Sequence, residues 1–149
     1  MPGTYSQILL HAVFSTKGRE PWITEVVAKD LYPYIGGIVR GQGGVLYAVG
    51  GVSDHVHLYL RWRTDRPISD LMRELKACSS RWVHQTYPTL RSFAWQEGYS
   101  VFTVSKSQER VVKRYIATQA EHHREEDFGS ELKRLLRAHG IEFEERYVL

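Results

Sequence analysis

Apolar and polar positions along this chain follow two periods in turn, and the switches between them divide it into elements. Ser6 to Phe14, Ser-Gln-Ile-Leu-Leu-His-Ala-Val-Phe, is a short apolar run with polar flanks and predicts a buried strand. From about Trp22 to Arg40, Val26, Val27, Leu31, Ile35, Ile38 and Val39 recur close to the helical period, with Thr24 as candidate cap. Pro33 falls inside that pattern and predicts a kink or restart. Gly41 to Gly44 end the helix, after which Val45 to Val49 and His55 to Trp62 predict two strands of a hairpin joined around Gly50 and Gly51.

Pro67 suits the first turn of a second helix, whose apolar positions Ile68, Leu71, Met72, Leu75, Cys78 and Trp82 repeat at three and four. That helix should end near Tyr87 and Pro88. Tyr99 to Val104 is a fourth β-rich run. Ser105 with Gln108 resembles a capping box that opens a third helix carrying Val111, Val112, Tyr115, Ile116 and Gln119. A last helix runs from about Ser130 to Ala138, closed by Gly140. The order strand, helix, strand, strand, helix, strand, then further helices, predicts an α+β, ferredoxin-like (βαββαβ) antiparallel sheet with helices on one face and a C-terminal helical extension.

A length of 149 residues suffices for one core, so the whole chain, 1–149, reads as a single domain. Hydrophobic residues at 42% and charged residues at 25% are ordinary for a soluble globular protein, with no apolar run of membrane-spanning length. The first ten residues lack the features of a signal peptide, and a cytoplasmic protein is expected. The one cysteine, Cys78, reads as a small core residue. Net charge is only +3, yet Arg61 to Arg91 holds seven basic against three acidic residues, so +4 resides there and −1 in the remainder. Such a local excess suits either a solvated face or a phosphate-binding patch.

His55 and His57 stand two apart on a predicted strand, where alternation sends both imidazoles to one face and Val56 into the core. A His-x-His pair alone is a weak signal. It also underfills a coordination shell, so further ligands would have to come from elsewhere. Tyr115 and Gln119, four apart, share one helical face. His122 and His123, followed by Arg124, Glu125, Glu126 and Asp127, read as a charged helix end rather than a metal site. Tyr59, Trp62 and Trp95 would stack on unpaired bases if exposed, but such residues more often fill a core.

Four segments together resemble the HUH single-tyrosine transposases of small insertion sequences, including relatives associated with repetitive extragenic palindromes. They are Asp-His-Val-His-Leu at 54–58, Ile-Ser-Asp-Leu-Met-Arg-Glu-Leu-Lys from 68, Trp-Gln-Glu-Gly-Tyr at 95–99, and Arg-Tyr-Ile-Ala-Thr-Gln from 114. The resemblance spans roughly Tyr5 to His123. It implies that His55 and His57 are the motif's metal-binding histidines, Tyr115 the nucleophile and Gln119 a metal ligand. It further implies Mg²⁺ or Mn²⁺ as cofactor, hairpin-forming single-stranded DNA as substrate and a 5′-phosphotyrosine intermediate. A homodimer is implied too, often with the tyrosine helix exchanged between subunits. On the basic helix, Arg73, Lys76 and Arg81 are the expected contacts to the DNA backbone. Two other readings remain open, a single-stranded nucleic-acid-binding module without chemistry and a metal-dependent hydrolase.

Overall fold

The computed structural model describes residues 3–124 and 126–148, so Glu125 of the acidic stretch lies outside it. Four strands, β1 (Ile8–Ser15), β2 (Val45–Val52), β3 (His55–Trp62) and β4 (Ser100–Thr103), form one antiparallel sheet in the order β2-β3-β1-β4. Helix α1 (Glu25–Gly41) connects β1 to β2, and α2 (Ile68–Thr86) connects β3 to β4. This is the ferredoxin-like α+β arrangement expected from the order of elements. Beyond β4 come α3 (Glu109–Ala117), α4 (Gln119–His122) and α5 (Phe128–Ala138). Among the described residues no helix is long and apolar enough to cross a membrane.

Both faces of the sheet are covered, which explains why β1 reads as a nearly continuous apolar run rather than an alternating one. Leu10, Ala12 and Phe14 of β1, with Val56, Leu58, Leu60 and Trp62 of β3, pack against Val27, Leu31, Ile35 and Val39 of α1 and Leu71, Met72, Leu75 and Val83 of α2. The intervening residues face the other way. Leu9 and Tyr59 meet Ile116 of α3. Val13 and Phe102 meet Phe128, Leu132, Leu135 and Leu136 of α5. By the same alternation His11, His55 and His57 lie beneath the C-terminal helices, on the side of the sheet opposite α2.

Several local expectations are corrected. One uninterrupted helix crosses Pro33. Pro33 and Lys29, whose carbonyl loses its donor, are both on the exposed side, while the four buried side chains of α1 anchor the helix on either side of the proline. Thr24 does cap it, its hydroxyl accepting from Val27 N at 3.3 Å. The hairpin turns at Ser53 and Asp54, not at the glycines, since Gly50 and Gly51 pair within β2 with His57 and Val56. On α2 the buried face runs through Ser79 and Val83, so Cys78 and Trp82 are only half-buried. Tyr59, Trp62 and Trp95 are core residues. Ser105 bonds Ser107 rather than forming a capping box, and a 3₁₀ turn precedes α3. Asp127, which accepts from Ser130 N at 2.8 Å, starts α5 two residues earlier than the periodicity suggested.

Gly50 fixes the height of the C-terminal layer. A Cβ built there would lie 2.4 Å from the carbonyl oxygen of Ile116, so the α3 backbone rests directly on β2 one residue after Tyr115. Gly50→Ala should therefore destabilise the fold by about 1–3 kcal/mol in urea melts. A wild-type midpoint would show that α3 is not seated by this contact.

Candidate active site

β3 presents His55 and His57 to the C-terminal layer, both fully buried. Each is oriented by a partner on its Nδ1. Asp54, in the hairpin turn, holds His55 Nδ1 at 2.7 Å through Oδ1, and His11 on the neighbouring β1 holds His57 Nδ1 at 2.8 Å through Nε2. These contacts aim the two Nε2 atoms at one point, the arrangement typical of imidazoles whose second nitrogen is fixed by an outer partner.

At that point stands a residue sequence reasoning missed, Glu131 of α5. Its Oε1 lies 3.2 Å from His55 Nε2, 3.1 Å from His57 Nε2 and 3.0 Å from His123 Nε2. Its Oε2 accepts from Gln119 Nε2 at 3.1 Å and from the Tyr115 hydroxyl. The side chain is wholly buried. A signal for it exists in the sequence. Glu131 falls within the apolar stripe of Phe128, Leu132, Leu135 and Leu136, where an unpaired charge would be costly. His11 carries no comparable local mark, and its role depends on strand register.

Tyr115 and Gln119 do face the same site, although not on one helix. The α-helical path breaks at Thr118, whose hydroxyl bonds back to Arg114 O at 2.9 Å, so Tyr115 lies in the last turn of α3 and Gln119 begins α4. Gln119 Oε1 is 3.1 Å from His55 Nε2. Within this single chain all these groups are brought together. His123, expected on a solvated helix end, is corrected to a site residue. It is nearly buried and bonded to Glu131, and its ring centroid is 4.5 Å from that of His55. His122 packs on the Tyr115 ring at 4.7 Å. Arg73, Lys76 and Arg81 are not brought to this site, because all three ride on α2 across the sheet. Arg73 and Arg81 are exposed there, and the Lys76 ammonium is held by the carbonyls of Gln96 and Gly98.

The electrostatics follow from this packing. Burial opposes charging of His55, but hydrogen bonds to Asp54 and Glu131 outweigh it and lift the imidazole to about 9. Burial dominates at His57, which is pushed down, and at His11, which falls to about 3. Glu131 sits well below the usual carboxylate range, because the hydrogen bonds from His55 and His57 overcome its burial. The Tyr115 phenol is raised, first by burial and then by Glu131, with Arg134 pulling the other way.

Three donor atoms, one each from His55, His57 and Glu131, lie within 4.8 Å of one another. With Gln119 Oε1 beside them they make a mixed nitrogen and oxygen set that could hold a divalent cation. A neutral His57 that spends its one N–H on Glu131 must accept from His11. Were His57 to hold a cation, its Nδ1–H would donate to His11 instead.

Four of these side chains, His55, His57, Tyr115 and Gln119, fall inside a segment with known relatives. Residues 4–119 match the family described as IS200-like transposase. Over 122 residues the chain is 27% identical to the ISDra2 transposase TnpA of Deinococcus radiodurans, covering 78% of this chain and 87% of that protein. A crystal structure from D. radiodurans R1, assigned as a transposase, is similar with a TM-score of 0.67 at 27% identity, over 80% of this chain and 95% of that one. The structure of a REP-associated tyrosine transposase bound to a REP hairpin is similar with a TM-score of 0.61 at 16% identity, over 83% of this chain and 73% of that one. Glu131 lies beyond the matched residues.

Two measurements test this geometry. Because His55 must lose its proton to ligate, Mn²⁺ affinity by calorimetry should climb about tenfold per pH unit from 6.5 toward 9. A curve already flat at neutral pH would contradict the raised imidazole. Replacing the orienting residue in His11→Phe should weaken Mn²⁺ binding about 10–100-fold, and unchanged affinity would remove His11 from the site.

Proposed function

Since the matched segment covers most of its length, this chain belongs to the IS200-like transposase family, and on that premise we propose that it cuts and rejoins single-stranded DNA through a covalent bond to Tyr115. The observation that carries the reading is the convergence of the Tyr115 hydroxyl and the two His Nε2 atoms on a single buried carboxylate. A nucleophile and a cation site thus share one wall. A structural core would have no use for that collection of ionisable groups in one place.

A divalent cation, Mg²⁺ or Mn²⁺, held by His55, His57, Glu131 and Gln119 would withdraw charge from the scissile phosphate and orient it for attack. The chain's own groups do the rest. Tyr115 Oη forms a bond to phosphorus while the bond from phosphorus to the 3′ oxygen breaks, and the 3′ oxygen takes a proton from water, leaving a 5′-phosphotyrosine and a 3′ hydroxyl. Burial and Glu131 keep the phenol protonated at rest, so its proton leaves only as the new bond forms. Glu131 Oε2, the acceptor of the phenolic hydrogen bond, is positioned to receive it. In the reverse direction a phenol, with an ordinary pKa near 10, is a better leaving group than an alkyl alcohol. The covalent link conserves the phosphodiester, and a second 3′ end can be joined without another energy source.

The substrate we propose is hairpin-forming single-stranded DNA, supported by the fold shared with the hairpin-bound REP-associated transposase. A homodimer, as the resemblance implies, would bring two such sites to the two strand ends.

Covalent capture tests the proposal. Labelled single strands from the flanks of the chain's own gene, incubated with Mn²⁺, should give a denaturation-resistant adduct with wild type. The adduct should vanish in Tyr115→Phe and in His57→Ala. Wild type that is folded, loaded with Mn²⁺ and bound to DNA yet forms no adduct would instead identify a binding module.

A further inference from the structure

The helix that supplies Glu131 also carries Arg134 three residues later, on the same face and outside the residues that match the family. Arg134 Nη2 donates to Tyr115 Oη at 2.9 Å, and the guanidinium carbon lies 5.6 Å from the centre of the tyrosine ring. Glu126 fixes the guanidinium from behind, accepting from Nε at 3.2 Å and from Nη2 at 3.0 Å. Those three contacts engage Nε–H and both hydrogens of Nη2. The two hydrogens of Nη1 have no acceptor among the described residues, and the side chain is 49% exposed.

We propose that Arg134 is a catalytic residue of the strand-transfer step, donating from Nη2 to the reacting oxygen of Tyr115 and from Nη1 to a non-bridging oxygen of the phosphate bonded to it. The inference rests on the covalent reading above. Its basis is the planar fork of the guanidinium, which offers parallel N–H groups to two neighbouring oxygens. Once Tyr115 Oη is joined to phosphorus, the non-bridging oxygens are the next atoms along, on the side where Nη1 is free. During cleavage the Oη–P bond forms and the P–O3′ bond breaks, the phenolic proton leaves through Glu131, and charge gathers on the phosphoryl oxygens. During rejoining the 3′ hydroxyl gives its proton to water as its oxygen bonds to phosphorus, and Oη departs with the electron pair and is reprotonated through Glu131. Arg134 stays protonated throughout and faces the atom where charge appears in each direction. An ammonium is a point charge without that fork, so lysine should substitute only in part.

The test compares wild type, Arg134→Ala, Arg134→Lys and Glu126→Gln in single-turnover adduct formation and rejoining with Mn²⁺. Binding of Mn²⁺ and of the DNA strand, and thermal melting, are measured alongside. Arg134→Ala should slow both directions about 10²–10³-fold while Mn²⁺ and DNA binding change far less. Guanidinium ion at sub-denaturing concentration should restore part of the Arg134→Ala rate and none of the Tyr115→Phe rate. Arg134→Lys should fall between wild type and Arg134→Ala, and Glu126→Gln should slow the reaction less than Arg134→Ala. A wild-type rate in Arg134→Ala, or a slow rate that guanidinium leaves unmoved, overturns the proposal. A wild type that forms no adduct overturns the covalent reading and this role with it, whereas a wild type and an Arg134→Ala variant that are equally fast overturn this role alone.

Discussion

The arrangement of the C-terminal layer depends on one buried carboxylate. Glu131 is wholly removed from water, and a bare charge in that position would cost several kcal/mol. It is tolerated because five side chains from β3, α3 and α4 and the segment after α4 place donors around its two oxygens. The converse holds for the partners. His55, His57 and Gln119 are themselves buried, and Glu131 is what satisfies their inward-facing nitrogens. Strand alternation, the close seating of α3 on Gly50 and the break at Thr118 all serve to bring these donors to one place.

How much of this could be read from the amino-acid order follows from the range of each interaction. β3 was legible because its period of two is local, and with it the shared direction of His55 and His57. Tyr115 and Gln119 were legible as neighbours because four residues bring them together, even though the helix between them breaks. His11 was not, since its contact with His57 exists only once β1 pairs with β3 in a particular register. Glu131 carries a mark of burial in the apolar stripe of α5, but its destination, and that of Arg134, depends on α5 folding over the outer face of the sheet, a long-range fact that helical periodicity does not contain. His123 was misread for the same reason, because its neighbours in sequence are charged and its neighbours in space are the buried site.

The two faces of the sheet divide the work. The face under α1 and α2 is built of aliphatic and aromatic side chains and leaves little for chemistry to use. The opposite face is thinner and mixed, with apolar patches at Ile116 and along α5 on either side of the polar cluster. Stability and reactivity thus draw on different sides of the same four strands. This explains why β1 and β3 must be buried on both faces, although only one of those faces carries the candidate site.

Glu131 and Arg134 of α5 set one charge of each sign beside the Tyr115 hydroxyl and so polarise the space around it. The candidate cation ligands in the matched segment, by contrast, would be uncharged, imidazole from His55 and His57 and amide from Gln119. An anionic oxygen among them shifts such a set toward harder cations. The scaffold and the tuning of its centre are consequently encoded in separate stretches of chain. Exchanging the single helix α5 would therefore change the charge of the candidate cation site without touching any strand pairing.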